Sequence, residues 1–337
     1  MESQSLPNGN SASSRRIAFA YEMKRERMSL IKQKTVFSVL LRSQRSTTRA
    51  QLSRRRWIRS LASFAFILPA VVLVVGMFWY SVIVTVGLSF TDSQGLTTPN
   101  FIGLKNYALL LHDPVFGTSI LNTCIWVVGM VVLPVGIGLA AALLLQNLRG
   151  QVIFKNIFYL PYAIGLTSTG VMWTFLLSNS GLPTFFAALG LTQFAHYNFL
   201  TSVPMNTFAM IIVATWQGMG TNMLLFLVGL NGLDKSVIEA ARLERVNGFS
   251  LLRHITLPLL QPVTTIIVSI TLVNSLQTFN LIWVMTQGGP YNSSSTLATW
   301  MYTEAFSVFR VGYGSAIAVL LTFIVLFASV FYLRKNV

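Results

Sequence analysis

Apolar runs long enough to cross about 30 Å of hydrocarbon recur six times along the chain. They lie near residues 61–90, 120–145, 156–177, 204–230, 262–286 and 312–333, and none contains Asp, Glu, Lys or Arg. At this length and apolarity only helices satisfy every backbone N–H and C=O inside a bilayer. The pattern therefore predicts an all-α integral membrane protein with six transmembrane helices over residues 61–337, preceded by a polar tail, 1–60. The first run is longer than a membrane needs, and Pro69 is a point where it could bend.

Composition strengthens this reading. Of 337 residues, 53% are hydrophobic and 10% charged, where an ordinary globular domain has about 25% charged. A net charge of +15 could suggest nucleic acid, but its distribution argues otherwise. Fourteen of the 24 Lys and Arg fall in residues 1–60, and most of the rest lie between apolar runs. With the amino terminus inside, 22 of the 24 lie on the cytoplasmic side, leaving only Lys105 and Arg310 outside. Cytoplasmic loops carry the excess of Lys and Arg, so both termini are expected in the cytoplasm. The outer loops then fall at roughly 91–119, 178–203 and 287–311. The tail is too long for a signal-peptide n-region. It reads first as a topology determinant against anionic headgroups; its stretch 17–41 could lie as a helix in the interface. A nucleic-acid arm is the minor alternative.

Chemistry is sparse. The spans lack the titratable groups that a proton-coupled carrier needs in its pathway. No G-x-x-x-x-G-K-[ST] loop, no Ser/His/Asp or Cys/His set and no H-E-x-x-H occurs. His112, His196 and His254 are far apart, and Cys124 has no second cysteine to pair with, so neither a metal site nor a disulfide is expected. An energy source, if transport is uphill, belongs on another polypeptide.

One inner loop is long, residues 231–261. Ser236 and Glu239 have the spacing of a capping box, opening a short helix that carries Ala240 and Ala241 and should stop near Asn247-Gly248. A second segment, 249–257, then meets Pro258. This predicts a helix lying across the cytoplasmic face, either capping the bundle or meeting a partner through its small residues.

The same residues carry a resemblance. Glu239-Ala240-Ala241-Arg242 with Gly248, followed by Ile255-x-Leu257-Pro258, resembles the EAA loop of binding-protein-dependent ABC importer permeases. Phe101-Ile-Gly103-Leu104-Lys-Asn106-Tyr107 is similar to an outer-loop element of the carbohydrate branch. Asn122-Thr123, Leu160-Pro161, Gly288-Gly289-Pro290 with Thr296, Tyr302-x-x-Ala305-Phe306 and Gly312-Tyr313-Gly314-Ser315-Ala316 resemble further family elements in the same order. The likeness covers most of the chain but not the tail. One position departs: the family's loop usually has Gly where this chain has Arg245, and Gly248 is the residue left to supply the turn.

The resemblance implies the MetI-like fold, with a cytoplasmic coupling helix at the EAA loop, in a multi-pass subunit of the bacterial inner membrane. It implies a permease without its own ATPase site, forming half of a pathway for a sugar or oligosaccharide, an acidic or phosphorylated one staying open. The partners implied are a second related permease, two ATP-binding subunits that hold ATP and Mg²⁺, and an extracytoplasmic solute-binding protein. Gln217, Gly218, Thr221, Thr271, Asn274, Ser275 and Thr278 fall where the resembling maltose permease meets sugar, although most identities differ. Read from the residues alone, these groups suit hydroxyl-directed hydrogen bonding and equally suit bonding between helices. An ATP-independent channel and a membrane scaffold are the competing functions.

Overall fold

A computed structural model describes residues 23, 27, 28 and 66–336, apart from 96, 97, 147, 195 and 196. It divides the chain into two units, Met1–Tyr80 and Ser81–Val337. Apart from three residues, the basic tail and the interfacial stretch 17–41 lie outside the described residues. In the first unit, residues 66–80 are helical and belong to α1 (Phe66–Ser89), which runs through Pro69 as one helix.

The second unit is helical throughout its ordered elements, with one isolated bridge between Thr91 and Phe101. After α2 (Lys105–His112) comes α3 (Pro114–Leu145), a 32-residue helix. It begins earlier than its apolar run because Asp113 caps it, accepting the Val115 N–H at 2.9 Å, with Pro114 in the first turn. The third expected span is not continuous. It is broken between α4 (Gln151–Ala163) and α5 (Leu166–Leu177), where the chain turns by 89°. Pro161 and the non-helical Gly165 end the ladder there. A short α6 (Leu182–Ala188) follows, then α7 (Met205–Asn231).

The long loop 231–261 folds as α8 (Lys235–Leu243) and α9 (Gly248–Leu259), the latter bent by 70° from α10 (Gln261–Leu276). Sequence alone ends the second segment at Pro258, yet α9 passes through it. A π turn over Leu252–Thr256, with Leu257 N–H donating to Leu252 O, widens the helix just before the residue that has no N–H. The fifth expected span is also interrupted, at Gln277–Phe279, before α11 (Asn280–Met285). Next, α12 (Leu297–Tyr302) runs into a π turn at Thr303–Ser307, and α13 (Val311–Asn336) closes the chain. Four helices, α1, α3, α7 and α13, are long and apolar enough to cross a membrane alone; the two bent pairs raise this to six, the number expected from the apolar runs.

In the second unit α7 is the central helix, packing on α3, α4 and α10. Its two halves feed separate apolar clusters. Met210 and Ile211 join Trp126, Leu281 and Ile282 in one; Met223, Phe226 and Leu227 join Ala142, Leu260 and Ile267 in the other. A third cluster holds α12 and α13 together through Trp300, Tyr313 and Ile317. Close approach rests on glycine. A Cβ at Gly138 of α3 would stand 2.7 Å from Asn222 Cβ of α7, and one at Gly220 would run into the Phe158 carbonyl of α4. Small residues at helix interfaces are how membrane helices gain packing where lipid supplies no hydrophobic drive.

Candidate functional site

Between the two apolar clusters of α7 the helix turns polar. Gln217 and Thr221 stand one turn apart, as do Gly218 and Asn222, midway along its 27 residues. On α10, Thr271, Asn274 and Ser275 follow an i, i+3, i+4 spacing, which places them on one face, and Thr278 follows in the interruption just beyond the helix end. These two faces bound a cavity of about 540 Å³, and all seven sequence-derived candidates, 217, 218, 221, 271, 274, 275 and 278, line it. The cavity also sits at both breaks in the spans. Tyr162 and Leu166 line it from either side of the α4–α5 turn, and Gln277, Phe279 and Asn280 from the α10–α11 interruption. Broken helices facing a cavity at mid-span are a recurrent way to build a substrate site in membrane transporters.

The polar lining is not used to join helices. The side chains of Gln217, Asn222, Asn274, Gln277 and Asn280 enter no hydrogen bond among the described residues. Those of Ser275 and Thr278 reach only carbonyls of their own helical turn, Leu272 O at 2.9 Å and Asn274 O at 3.2 Å. The Thr221 hydroxyl and the Trp126 indole N–H are buried without a partner. Buried side-chain polar groups ordinarily find partners, so the unsatisfied Thr221 hydroxyl and Trp126 N–H, beside amides whose polar ends are open to the cavity, mark a place for a ligand. Trp126, Tyr162 and Phe279 were not legible as lining residues, because each sits in an apolar run and reads as core.

The loop between α11 and α12, residues 286–297, is held by α3 and α7. Asn122 of α3 donates to Ser293 O and Ser295 O at 2.8 and 3.0 Å. Asn206 of α7 donates to Ser293 Oγ at 2.9 Å. Thr296 caps α12 in a capping box with Thr299, and its hydroxyl donates to Thr278 O at 3.2 Å, linking the loop to the α10 break. Nearby, Arg310 lies 3.1 Å from Glu304 and 4.2 Å above the Tyr313 ring, and Tyr313 donates to Asp113 at 2.9 Å. Burial pushes the Glu304 carboxyl up from its ordinary value, with Arg310 opposing.

The long loop 231–261 departs from its sequence reading at both ends of α8. The cap is Asp234, not Ser236. Asp234 accepts the Ser236 N–H at 2.9 Å, and hydrogen bonding by the Ser236 side chain, then by its N–H, holds the carboxyl below the usual range, so no capping box forms at Ser236–Glu239. At the other end Arg245 itself adopts the left-handed conformation, φ 64°. Val246 N–H donates to Ala241 O, and Arg245 N–H to Arg242 O, both at 3.0 Å. These are the two bonds of a Schellman motif, whose left-handed position glycine normally fills. Gly248, φ 59°, then starts α9. Glu239, Ala240 and Arg242 are exposed, while Ala241 is buried against its own chain. Ala240, rather than Ala241, is the small residue open to a partner. In α9, Ile255 and Leu257 are half-buried and Pro258 is exposed.

Residues 133–337 match the family model described as binding-protein-dependent transport system inner membrane component. A probable ABC transporter permease of Pyrococcus horikoshii is 32% identical over 272 residues, covering 80% of this chain and 93% of that one. The arabinooligosaccharides transport permease AraP of Bacillus subtilis is 28% identical, covering 82% and 89%. A crystal structure of a bacterial ABC transporter that imports the acidic polysaccharide alginate superimposes with a TM-score of 0.72 at 20% identity, covering 82% of this chain and 96% of that one.

Proposed function

The chain belongs to the binding-protein-dependent transport system inner membrane components, and from that premise we propose that it forms half of the membrane pathway of an ATP-driven importer of a sugar or oligosaccharide. The observation that carries the substrate class is the mid-span cavity lined by hydroxyls and by amides, Gln217, Asn222 and Asn274 among them, whose side chains enter no hydrogen bond among the described residues. A saccharide presents hydroxyls, each both donor and acceptor, and an amide offers the same pairing. Relatives named for arabinooligosaccharides support the same class.

In this reading Gln217, Gly218, Thr221, Thr271, Asn274, Ser275 and Thr278 line the substrate path. A second related permease supplies the other wall. Two ATP-binding subunits hold ATP and Mg²⁺, and an extracytoplasmic binding protein delivers the sugar. Both termini and residues 231–261 face the cytoplasm, which the charge distribution supports. There α8 and α9 meet the ATPase through Glu239, Ala240, Arg242 and the Gly248–Pro258 segment, with Ala241, Ile255 and Leu257 holding the loop to its own chain. When the ATPases close, the loop carries the spans with it and the cavity changes side.

The test is reconstitution of the whole importer in liposomes, scored as sugar uptake against ATP. Uptake that needs ATP and loaded binding protein, and is lost when the cavity amides are truncated, is the expected result. Uptake that proceeds without ATP would replace this reading with a channel.

A further inference from the structure

We infer that the cavity accepts an uncharged, hydroxyl-rich substrate and turns away acidic or phosphorylated saccharides. This rests on the permease reading above and narrows its substrate class. Among the described residues lining the cavity, none is Asp, Glu, Lys, Arg or His. A carboxylate or phosphate entering it would leave water without meeting a countercharge from this wall of the pathway, and desolvating an unpaired ion is costly.

The remaining fields are balanced rather than anion-seeking. Leu166 begins α5 and Gln277 ends α10, and both line the cavity. A helix N-terminus and a helix C-terminus carry partial charges of opposite sign, so the two broken spans offset each other there. On the outer side, Arg310 is committed to Glu304 and the Tyr313 ring, and Asp113 to Tyr313 and the α3 cap. The lining amides each carry an acceptor oxygen beside their donors. A hydroxyl can satisfy both kinds of group. An ionised carboxylate accepts only, and would turn each amide oxygen it met into an unsatisfied neighbour. The same fold hosts import of acidic alginate in another protein, so the fold itself does not set the charge preference and the lining must.

The test uses the purified complex of this chain with its partner permease and ATPases, without binding protein, so that only the pathway selects. Arabinotriose and maltotriose serve as neutral probes and trigalacturonate as the acidic one, with binding followed by the change in indole fluorescence. Neutral trisaccharides should bind at least about a hundredfold more tightly than trigalacturonate, the scale on which a polar site rejects a mismatched partner. Asn274→Ala should weaken the neutral probes, which places the binding in this cavity. Trigalacturonate binding as tightly as the neutral probes, with sensitivity to Asn274→Ala, overturns the inference while leaving the saccharide reading intact. If neither series binds, the saccharide reading falls and the inference with it.

Discussion

Asn274 and Asn122 are both asparagines within apolar runs, and their surroundings separate them. Asn122 spends its amide on two backbone carbonyls of the outer loop, whereas no hydrogen bond among the described residues engages the Asn274 side chain. The two alanine variants should therefore fail in opposite ways. Asn274→Ala and Gln217→Ala lose nothing that holds the fold, so thermal unfolding of the complex should be unchanged. Uptake should fall by the worth of a ligand hydrogen bond, roughly 1–3 kcal/mol or about 5- to 150-fold. Asn122→Ala leaves carbonyls without a donor and should destabilise by a similar roughly 1–3 kcal/mol, with faster amide exchange across 286–297. Uptake unaffected by both cavity variants would return these amides to a purely structural role. Composition could place all three residues in or beside spans, but neither hydropathy nor spacing reveals whether an amide has a partner.

At the scale of the element, α8 is the clearest case of sequence and structure diverging. The S-x-x-E pattern is present, yet Asp234 two residues earlier takes the cap because its carboxylate, an ionised acceptor, sits where the first free N–H groups point. The cap's strength depends on that ionisation. Hydrogen bonding lowers the folded carboxyl below its ordinary value, so the cap is fully present above the usual carboxylate range and is lost as pH falls through the depressed value. Amide exchange of residues 235–240 should accelerate only at strongly acidic pH, and Asp234→Asn should remove that pH step. Arg245 holds a left-handed backbone at the C-terminal end, and such a residue costs about 1–3 kcal/mol. Arg245→Gly should relieve part of this, raising the loop's stability by about 1 kcal/mol, visible as slower exchange over 235–246. Ala240→Phe presents bulk on the exposed side. It should insert normally yet lose ATP hydrolysis stimulated by loaded binding protein, since overpacking a fitted contact costs roughly 1–3 kcal/mol. Wild-type stimulation in Ala240→Phe would remove α8 from the ATPase contact.

Across the whole molecule, orientation rests on charge rather than on packing. In a background carrying Cys124→Ser, since Cys124 is exposed, a cysteine at Tyr291 should react with an impermeant thiol reagent added outside. One at Phe249 should react only after the membrane is opened. Both positions are exposed, whereas Ser294 is buried and would stay silent on either side. Reversed labelling would invert the topology and move the α8 loop away from any cytoplasmic ATPase. The breaks in two of the six spans also belong to this scale. Their apolar content reads as continuous helix, because hydropathy sums over a window and is blind to a turn of 89° inside it.

Sequence by itself determined the number of apolar runs, the loops in which charge accumulates, the position of the long loop 231–261 and the polar residues in the fourth and fifth runs. These depend on local composition and periodicity, which a bilayer reads one segment at a time. Tertiary structure decided where the spans break, which asparagines have partners and which alanine of the loop faces outward. It also decided that aromatic residues from apolar runs, Trp126 and Phe279 among them, wall the same cavity as the amides. Each of those outcomes depends on groups distant in sequence, as when Asn122 of α3 meets carbonyls more than 170 positions away. Hydrogen bonds and close approach act between neighbours in space, and a linear pattern carries no distance between them.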